Sequence, residues 1–310
     1  MAGDAYIVDA VRTPIGRRNG MLKHWHPADL LAEVLTAVTQ RAGVEPGEID
    51  DVLIGCLDQV DEQGVNIARS AALGAGFPET VPAVTIDRQC GSSQQAAHFA
   101  AQGVMSGQYD IAIAGGIEVM SRVPMWANVP DVSAAYGPRM RARYGMAPDF
   151  FVNQGESGEM VADRWGLTRA ECDALAAESH RRAHAATNEG RFAAEIHPVD
   201  ARHDDQEWLG DRDEGIRPST TTETASSRTN PRAIRCVTSL RIGELMRAAP
   251  CPALHGRAAG GSHATPGSCP GDGISPLLTG DIGLRIRVPR TIAVPHSQGR
   301  PFSGLIFVSR

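Results

Sequence analysis

Long apolar runs are missing from this 310-residue chain: no uninterrupted stretch approaches the ~18 residues needed to cross a bilayer, although 42% of the residues are hydrophobic. An ordinary transmembrane protein is excluded, and a soluble globular chain with no membrane partner is expected. The N-terminus has no basic segment leading into an apolar stretch and a small-residue cleavage site, so no secretory signal is read and a cytoplasmic, reducing location is expected. Regular cysteine spacing is lacking too, and the six cysteines read as free thiols rather than a disulfide framework. Lysine is nearly absent, with Lys23 alone beside 29 arginines, a bias of GC-rich coding sequence rather than of chemistry. No internal repeat is visible. No G-x-G-x-x-G opens a helix, and Gly115-Gly116 lies inside a strand pattern, so the dinucleotide fingerprint is excluded.

What is present divides unevenly. The net charge of -6 is the sum of an acidic region, residues 1–225, with 19 basic and 33 acidic side chains, and an ending, residues 226–310, with 11 arginines and 3 acids. Those arginines are scattered among glycine, proline and serine without aromatic interleaving, which argues for a solvated surface and against a nucleic-acid partner.

The first 120 residues alternate strand and helix signals. Tyr6 to Val11, Val52 to Leu57, Val81 to Ile86 and Asp110 to Val119 read as strands, the last two as buried ones. Between them, Pro27 to Ala42 places Leu30, Leu31, Val34, Leu35 and Val38 on one helical face, opened by Pro27 and ended near Gly43. Asn66 to Leu73 and Ser93 to Met105 are the other helices. The pattern predicts an α/β fold, a mainly parallel sheet with helices on both faces. Residues 121–222 read as an excursion of loops around helices Ser157 to Trp165 and Arg169 to Glu189, the second capped by Thr168 with Glu171 as its capping-box partner. Residues 223–310, with 9 proline, 11 glycine and 9 serine in the last 85 positions, read as an irregular, poorly structured tail.

The segment richest in chemistry is Asp87-Arg88-Gln89-Cys90-Gly91-Ser92, where a strand ends and a helix begins. A sulfur at that turn lies near unpaired amides at the positive end of a helix, which favours thiolate and offers N–H groups to an oxyanion, while Gly91 lets a substrate approach closely. On spacing alone, a buried cysteine that only packs fits equally well. Cys56 and Cys172 read as packing residues. His180 and His184, four apart on a helix, lack a following glutamate and a third ligand and read as solvated. Cys251, His255, His263 and Cys269 match no zinc spacing, so no metal site is expected. His98, two turns along the helix from Cys90, is expected to point away.

Three motifs in order then resolve the ambiguity: Asp9-Ala10-Val11-Arg12-Thr13-Pro14-Ile15-Gly16, the segment around Cys90, and Gly115-Gly116-Ile117-Glu118-Val119-Met120-Ser121. Together they resemble the thiolase family of acyl-CoA acyltransferases. Asn153-Gln154-Gly155-Glu156-Ser157-Gly158-Glu159 and Asp213-Glu214-Gly215-Ile216-Arg217-Pro218 resemble that family's loop domain, which covers the CoA arm. The resemblance spans about residues 5–222. It implies an N-terminal thiolase domain over 1–120, a loop domain over 121–222 and a divergent tail over 223–310. It implies thiolytic cleavage of 3-ketoacyl-CoA, or acetyl transfer between CoA thioesters, through an acyl-cysteine intermediate in fatty-acid or side-chain β-oxidation, with CoA and acyl-CoA as substrates, no further cofactor, and a homodimer or homotetramer. Cys90 takes the acyl group, and Arg217 matches a position near the CoA nucleotide, where a guanidinium suits phosphate or an adenine face; a solvated loop arginine is the alternative.

The chain departs from the family beyond Thr222, where no Asn-Glu-Ala-Phe and no Gly-His-Pro motif occurs. His263 and Cys269 echo the family's second-half histidine and cysteine, but too few residues separate them for a helix and a strand, so the echo reads as accidental. An arginine-rich ending of this kind is expected of a frameshifted GC-rich reading frame and equally of a genuine tail. A catalytically inactive truncated remnant, or a CoA-binding partner subunit, is therefore the competing reading. Asn153-Gln154 stands where some thiolases carry His-Met, a second departure.

Overall fold

Four short apolar runs become strands, β1 (Tyr6–Val11), β2 (Asp51–Gly55), β3 (Ala83–Ile86) and β4 (Ile111–Gly116), in the computed structural model, which describes residues 4–129, 131–146, 154–217, 219 and 304–308. Helices α1 (Pro27–Ala42), α2 (Ile67–Gly74) and α3 (Ser92–Met105) alternate with them along the chain. α1 starts where Pro27 presets the first helical φ and the His26 ring accepts the Ala28 N–H at 3.2 Å. It stops at Gly43, whose φ of 66° closes a left-handed cap that a β-carbon would strain.

The sheet order is β1-β7-β4-β2-β3, with β7 formed by Gly304–Val308. β2 pairs in parallel with both β3 and β4, and β7 runs antiparallel to both β1 and β4, so β1 to β4 all point one way. The fold class is α/β, as expected. Within the expected irregular ending, β7 is a departure. Its run Gly-Leu-Ile-Phe-Val has strand-forming composition, and its backbone takes up the facing N–H and C=O groups of β1 and β4. The rest of residues 223–310, with Cys251, His255, His263 and Cys269, lies outside the described residues.

Helices cover both faces, and the period of two assigns the side chains. Val52, Ile54 and Ile113 pack with Leu31, Leu35, Val38 and Ala68 of α1 and α2, whereas Leu53, Ala112 and Ala114 pack with Ala96, Ala100 and Val104 of α3. Two expectations need correcting. β3 begins at Ala83 rather than Val81, and it is an edge strand with Val84 40% exposed rather than a buried one. An apolar, β-branched run has the same composition at an edge as at the centre, so composition did not separate the two.

After β4 the chain leaves the sheet through α4 (Pro138–Tyr144), α5 (Gln154–Trp165) and α6 (Arg169–Asn188), and then forms a hairpin of β5 (Val199–His203) and β6 (Gln206–Gly210). α4 and the hairpin were not foreseen. Thr168 does cap α6, with the reciprocal Glu171 capping box.

One side chain ties this excursion back to the sheet. Arg12, at the end of β1 and 6% exposed, bonds Asp213 twice, at 2.7 and 3.0 Å, and Glu195 at 2.9 Å, with the Phe192 ring 5.4 Å from its guanidinium carbon. Burial alone would lower its pKa; the bonds to Asp213 and Glu195 outweigh that and raise it, so Arg12 stays charged. Backbone bonds Arg12 N–H to Glu195 O and His197 N–H to Arg12 O, both 2.8 Å, complete the seam. Next to it, Glu214 accepts the N–H groups of Arg17 and Met21 at 2.9 and 3.0 Å.

Breaking such a buried pair from one side leaves a desolvated charge behind. Asp213→Ala is expected to lower unfolding free energy by about 3 kcal/mol, the low end for a buried pair because Glu195 remains. Urea denaturation measures the loss, and limited proteolysis should show early cleavage within 195–217; unchanged stability and cleavage would rule the seam out as an anchor.

Candidate active site

The strand-to-helix turn after β3 is held by its own polar groups. The Asp87 carboxylate accepts the Gln89 N–H at 2.6 Å, and Gln89 sits at φ 50°, a left-handed conformation uncommon for a residue with a β-carbon. Ser92, the first residue of α3, accepts the Arg88 N–H through Oγ at 2.9 Å and donates to the Gln89 carbonyl at 2.5 Å. Cys90 stands at the tip of this turn and is exposed. A buried packing cysteine is thereby excluded at this position.

The turn is brought close to the sheet by two glycines. Gly55 and Gly116 are register partners at the ends of β2 and β4, and both face the first turn of α3. A β-carbon on Gly55 would overlap the Ser93 amide nitrogen, and one on Gly116 would lie 2.6 Å from Ser93 Cβ. Small residues on both sides of the contact, Ala96 and Ala100 of α3 and Ala112 and Ala114 of β4, continue the close approach along the helix.

Two amides near the sulfur are not free as expected. The Gly91 N–H donates to Arg88 O at 3.0 Å and the Ser92 N–H to Gln89 O at 3.1 Å, so the turn itself uses them. A left-handed Gln89 folds its own carbonyl back onto the helix start, which the residue pattern did not reveal. At Gly91 a β-carbon would come no nearer than 3.4 Å, to Arg88 O, an ordinary contact.

A side chain from the excursion reaches the sulfur. Gln154, the first residue of α5, donates its Nε2 to Cys90 Sγ at 3.8 Å and is the sulfur's hydrogen-bond partner among the described residues. Gln154 was noted in the sequence only as a departure from His-Met. That noted departure was its one signal; its neighbour Asn153 lies outside the described residues.

Cys56 contrasts with Cys90. It is buried beyond the end of β2, and burial, then the carboxylates of Glu118, Asp58 and Asp87, push its thiol pKa well up, so it remains a neutral packing group. Glu118, from the third sequence motif, is structural as well: it accepts the Leu57 N–H at 2.8 Å and the Gln63 amide at 2.6 Å. The fully buried Gln63 also accepts the Val119 N–H at 2.8 Å, which joins the ends of β2 and β4 behind the turn. Cys172 is buried, as expected.

Arg217 is exposed, and its guanidinium Nη2 lies 3.0 Å from His180 Nε2. His180 is therefore not simply solvated. Burial first, and the Arg217 charge second, lower its pKa, so the ring is neutral at pH 7. His184 lies 3.0 Å from the Asn188 amide. No group of three or more histidines, cysteines and acids able to hold a metal occurs among the described residues. No described helix is long and apolar enough to cross a membrane.

Comparison with known proteins gives concordant matches. The family description "Thiolase, N-terminal domain" matches residues 5–229. A steroid 3-ketoacyl-CoA thiolase of Mycobacterium tuberculosis is 42% identical over 205 residues, 64% of this chain and 49% of that protein. A 3-ketoacyl-CoA thiolase of Bacillus subtilis is 39% identical over 234 residues, 72% of this chain and 58% of that one. The crystal structure of the Bacillus anthracis acetyl-CoA acetyltransferase aligns with a TM-score of 0.62 at 34% identity, covering 73% of this chain and 58% of that chain. The chain spans about half the length of the curated relatives it matches.

Two outcomes follow from this geometry. Gly55→Ala is expected to cost about 3 kcal/mol or prevent folding, because the obstacle is backbone, whereas Gly47→Ala, whose added carbon would meet only Pro78 Cγ at 3.7 Å, should be near neutral in the same denaturation assay. His180, with a folded-state pKa below its unfolded value, stabilises the fold fully above about pH 6.5, and that contribution is lost as pH falls toward the folded pKa, where the unfolded chain binds the proton first. The melting temperature should therefore fall modestly from pH 7.5 to 5.5, and less in His180→Gln; equal slopes in the two proteins would refute the assignment.

Proposed function

The chain belongs to the thiolase family, and on that premise we propose that it takes an acyl group from a CoA thioester onto Cys90, as a thiolytic acyltransferase of the 3-ketoacyl-CoA class. The Cys90 sulfur attacks the 3-keto carbon; the bond between that carbon and the α-carbon breaks, and acetyl-CoA leaves once its α-carbon is protonated. The thiol of a second CoA then attacks the Cys90 thioester, which releases the shortened acyl-CoA and restores the thiol. Dividing the reaction through a thioester lowers each barrier. Arg217 is assigned to the CoA nucleotide, where its planar guanidinium pairs with phosphate or stacks on adenine. Gly91 is assigned to the open side of the nucleophile, where a β-carbon would crowd the thioester. The assigned setting is a cytoplasmic β-oxidation sequence, with self-association into a homodimer or homotetramer.

The observation that carries this reading is an exposed cysteine at a rigid strand-to-helix turn, within the family's own motif, at the foot of a helix pressed onto the sheet by Gly55 and Gly116. Thiolate attack needs access and a fixed approach, and both support it. A second reading, a chain that binds or accepts CoA thioesters without turning them over, is favoured by the chemistry of Gln154. A carboxamide beside the sulfur neither takes nor gives a proton at neutral pH, and general acid-base help is worth about 10²- to 10⁴-fold.

Intact mass after incubation with acetyl-CoA or acetoacetyl-CoA separates the readings. Full transfer predicts an acetyl-sized gain that is absent in Cys90→Ala and discharged by added CoA. A gain that CoA does not discharge supports the second reading, and no gain on folded protein overturns acyl transfer.

A further inference from the structure

Gln154 brings a polar donor from a separate part of the chain to the atom assigned as nucleophile. It opens α5, 64 residues beyond Cys90, and its Nε2 lies 3.8 Å from Sγ. The side chain is exposed, so nothing in the core requires an amide here. The turn around Cys90 has meanwhile used the Gly91 and Ser92 N–H groups within itself. Gln154 is thus a donor to the sulfur that comes from outside the turn.

We propose that Gln154 is a positioning residue, whose side-chain N–H holds the Cys90 sulfur in one orientation and favours its charged form over the neutral thiol. The physical ground is the inventory of the two groups. A carboxamide offers two N–H donors, and a thiolate is an acceptor with no proton to give, so the contact strengthens when the sulfur loses its proton to solvent. A thioether in the same place has no donor and would leave the sulfur to water alone. The charged residues closest in sequence are Asp87 and Arg88 on the turn and Glu156 on α5; the Asp87 carboxylate accepts the Gln89 N–H. The assignment deepens the acyl-transfer reading and rests on it for its catalytic meaning, while the contact itself is testable without any CoA compound.

The test is the pH dependence of Cys90 alkylation by iodoacetamide, followed by mass spectrometry on the peptide that contains Cys90, in wild type, Gln154→Met and Gln154→Glu. Sulfur bonds to carbon as iodide leaves, so the rate reports the thiolate. Because a more basic thiolate is intrinsically more nucleophilic, the midpoint of the profile is the primary reading and the rate at one pH the secondary one. Gln154→Met is expected to move the midpoint upward and to slow alkylation at pH 7 by about 3- to 10-fold, below the full effect of a buried charged hydrogen bond because the site is exposed. Gln154→Glu replaces the donor with a carboxylate and should move the midpoint further in the same direction. Melting curves identify a variant that fails to fold, and either variant alone suffices. An unchanged midpoint in a folded variant overturns the proposal, as does a downward shift in Gln154→Glu. The wild-type acetyl-CoA mass assay is read separately: no acetyl gain with a Gln154-dependent midpoint refutes acyl transfer and leaves the contact standing, whereas an acetyl gain with a Gln154-independent midpoint does the reverse.

Discussion

A guanidinium taken out of water is the constraint around which the two parts of the chain are arranged. Removing an arginine from solvent costs several kcal/mol, and the loss is offset only by opposite charge and hydrogen bonds in good geometry. Arg12 makes four such bonds, to Glu195 and twice to Asp213 from the far end of the excursion, and to the Thr13 carbonyl at 3.1 Å. None of the partners is adjacent to another in sequence, so the charge is satisfied only when the hairpin of β5 and β6 has folded back onto the end of β1. Asp213 and Glu214 extend the same contact by capping the N–H groups of Ile15, Arg17 and Met21. The arm that brings α5 and α6 around the sheet is thereby anchored at both of its ends, by continuity with β4 at one and by Arg12 at the other.

The second constraint is local. A reactive group at the start of a helix has a defined approach only if the helix start itself cannot move, and α3 is held close to the sheet by its contact with Gly55 and Gly116. Glycines at the ends of β2 and β4 remove the β-carbons that would keep the helix away, and alanines continue the fit along its length. Close packing of this kind transmits displacement from the sheet to the helix start. The turn carrying Cys90 adds its own rigidity through Asp87, the left-handed Gln89 and Ser92. Gln63 and Glu118 tie the same strand ends from behind. The site is thus a property of the sheet end, and the cysteine is its exposed tip.

Periodic features of this arrangement were legible in the sequence, and pairings were not. α1 could be read from Leu30, Leu31, Val34, Leu35 and Val38 because a 3.6-residue stripe between a proline and a glycine has few alternatives. The Thr168 capping box was equally plain, since both partners lie within one turn. β3 was misplaced from centre to edge because its composition reports apolarity, and its neighbours are set by chain topology. Arg12 and Asp213 are 201 residues apart, and no local rule joins them. Cys90 was visible through its strand-to-helix context and its family motif, whereas Gln154 was visible only as an exception to another pattern. The strand β7 was missed because a five-residue run amid glycine, proline and serine carries too little local signal; its position follows from the facing edges that β1 and β4 offer.

Two thiols at the same end of the sheet show how far environment decides chemistry here. Cys56 is enclosed and surrounded by the carboxylates of Glu118, Asp58 and Asp87, all of which disfavour a negative sulfur. Cys90, one strand over and beyond the end of the sheet, is open to solvent and faces an amide donor instead. The same side chain is inert in one place and accessible in the other, and the difference arises from which strand end it terminates. Gly55 at the end of β2 faces the first turn of α3, and Cys56 after it packs on the other face with Ala28 of α1 and Ile67 of α2, so its thiol is sealed; β3 lies at the sheet edge, so the turn that follows it projects into solvent. The edge position of β3, which composition could not predict, is therefore what exposes Cys90.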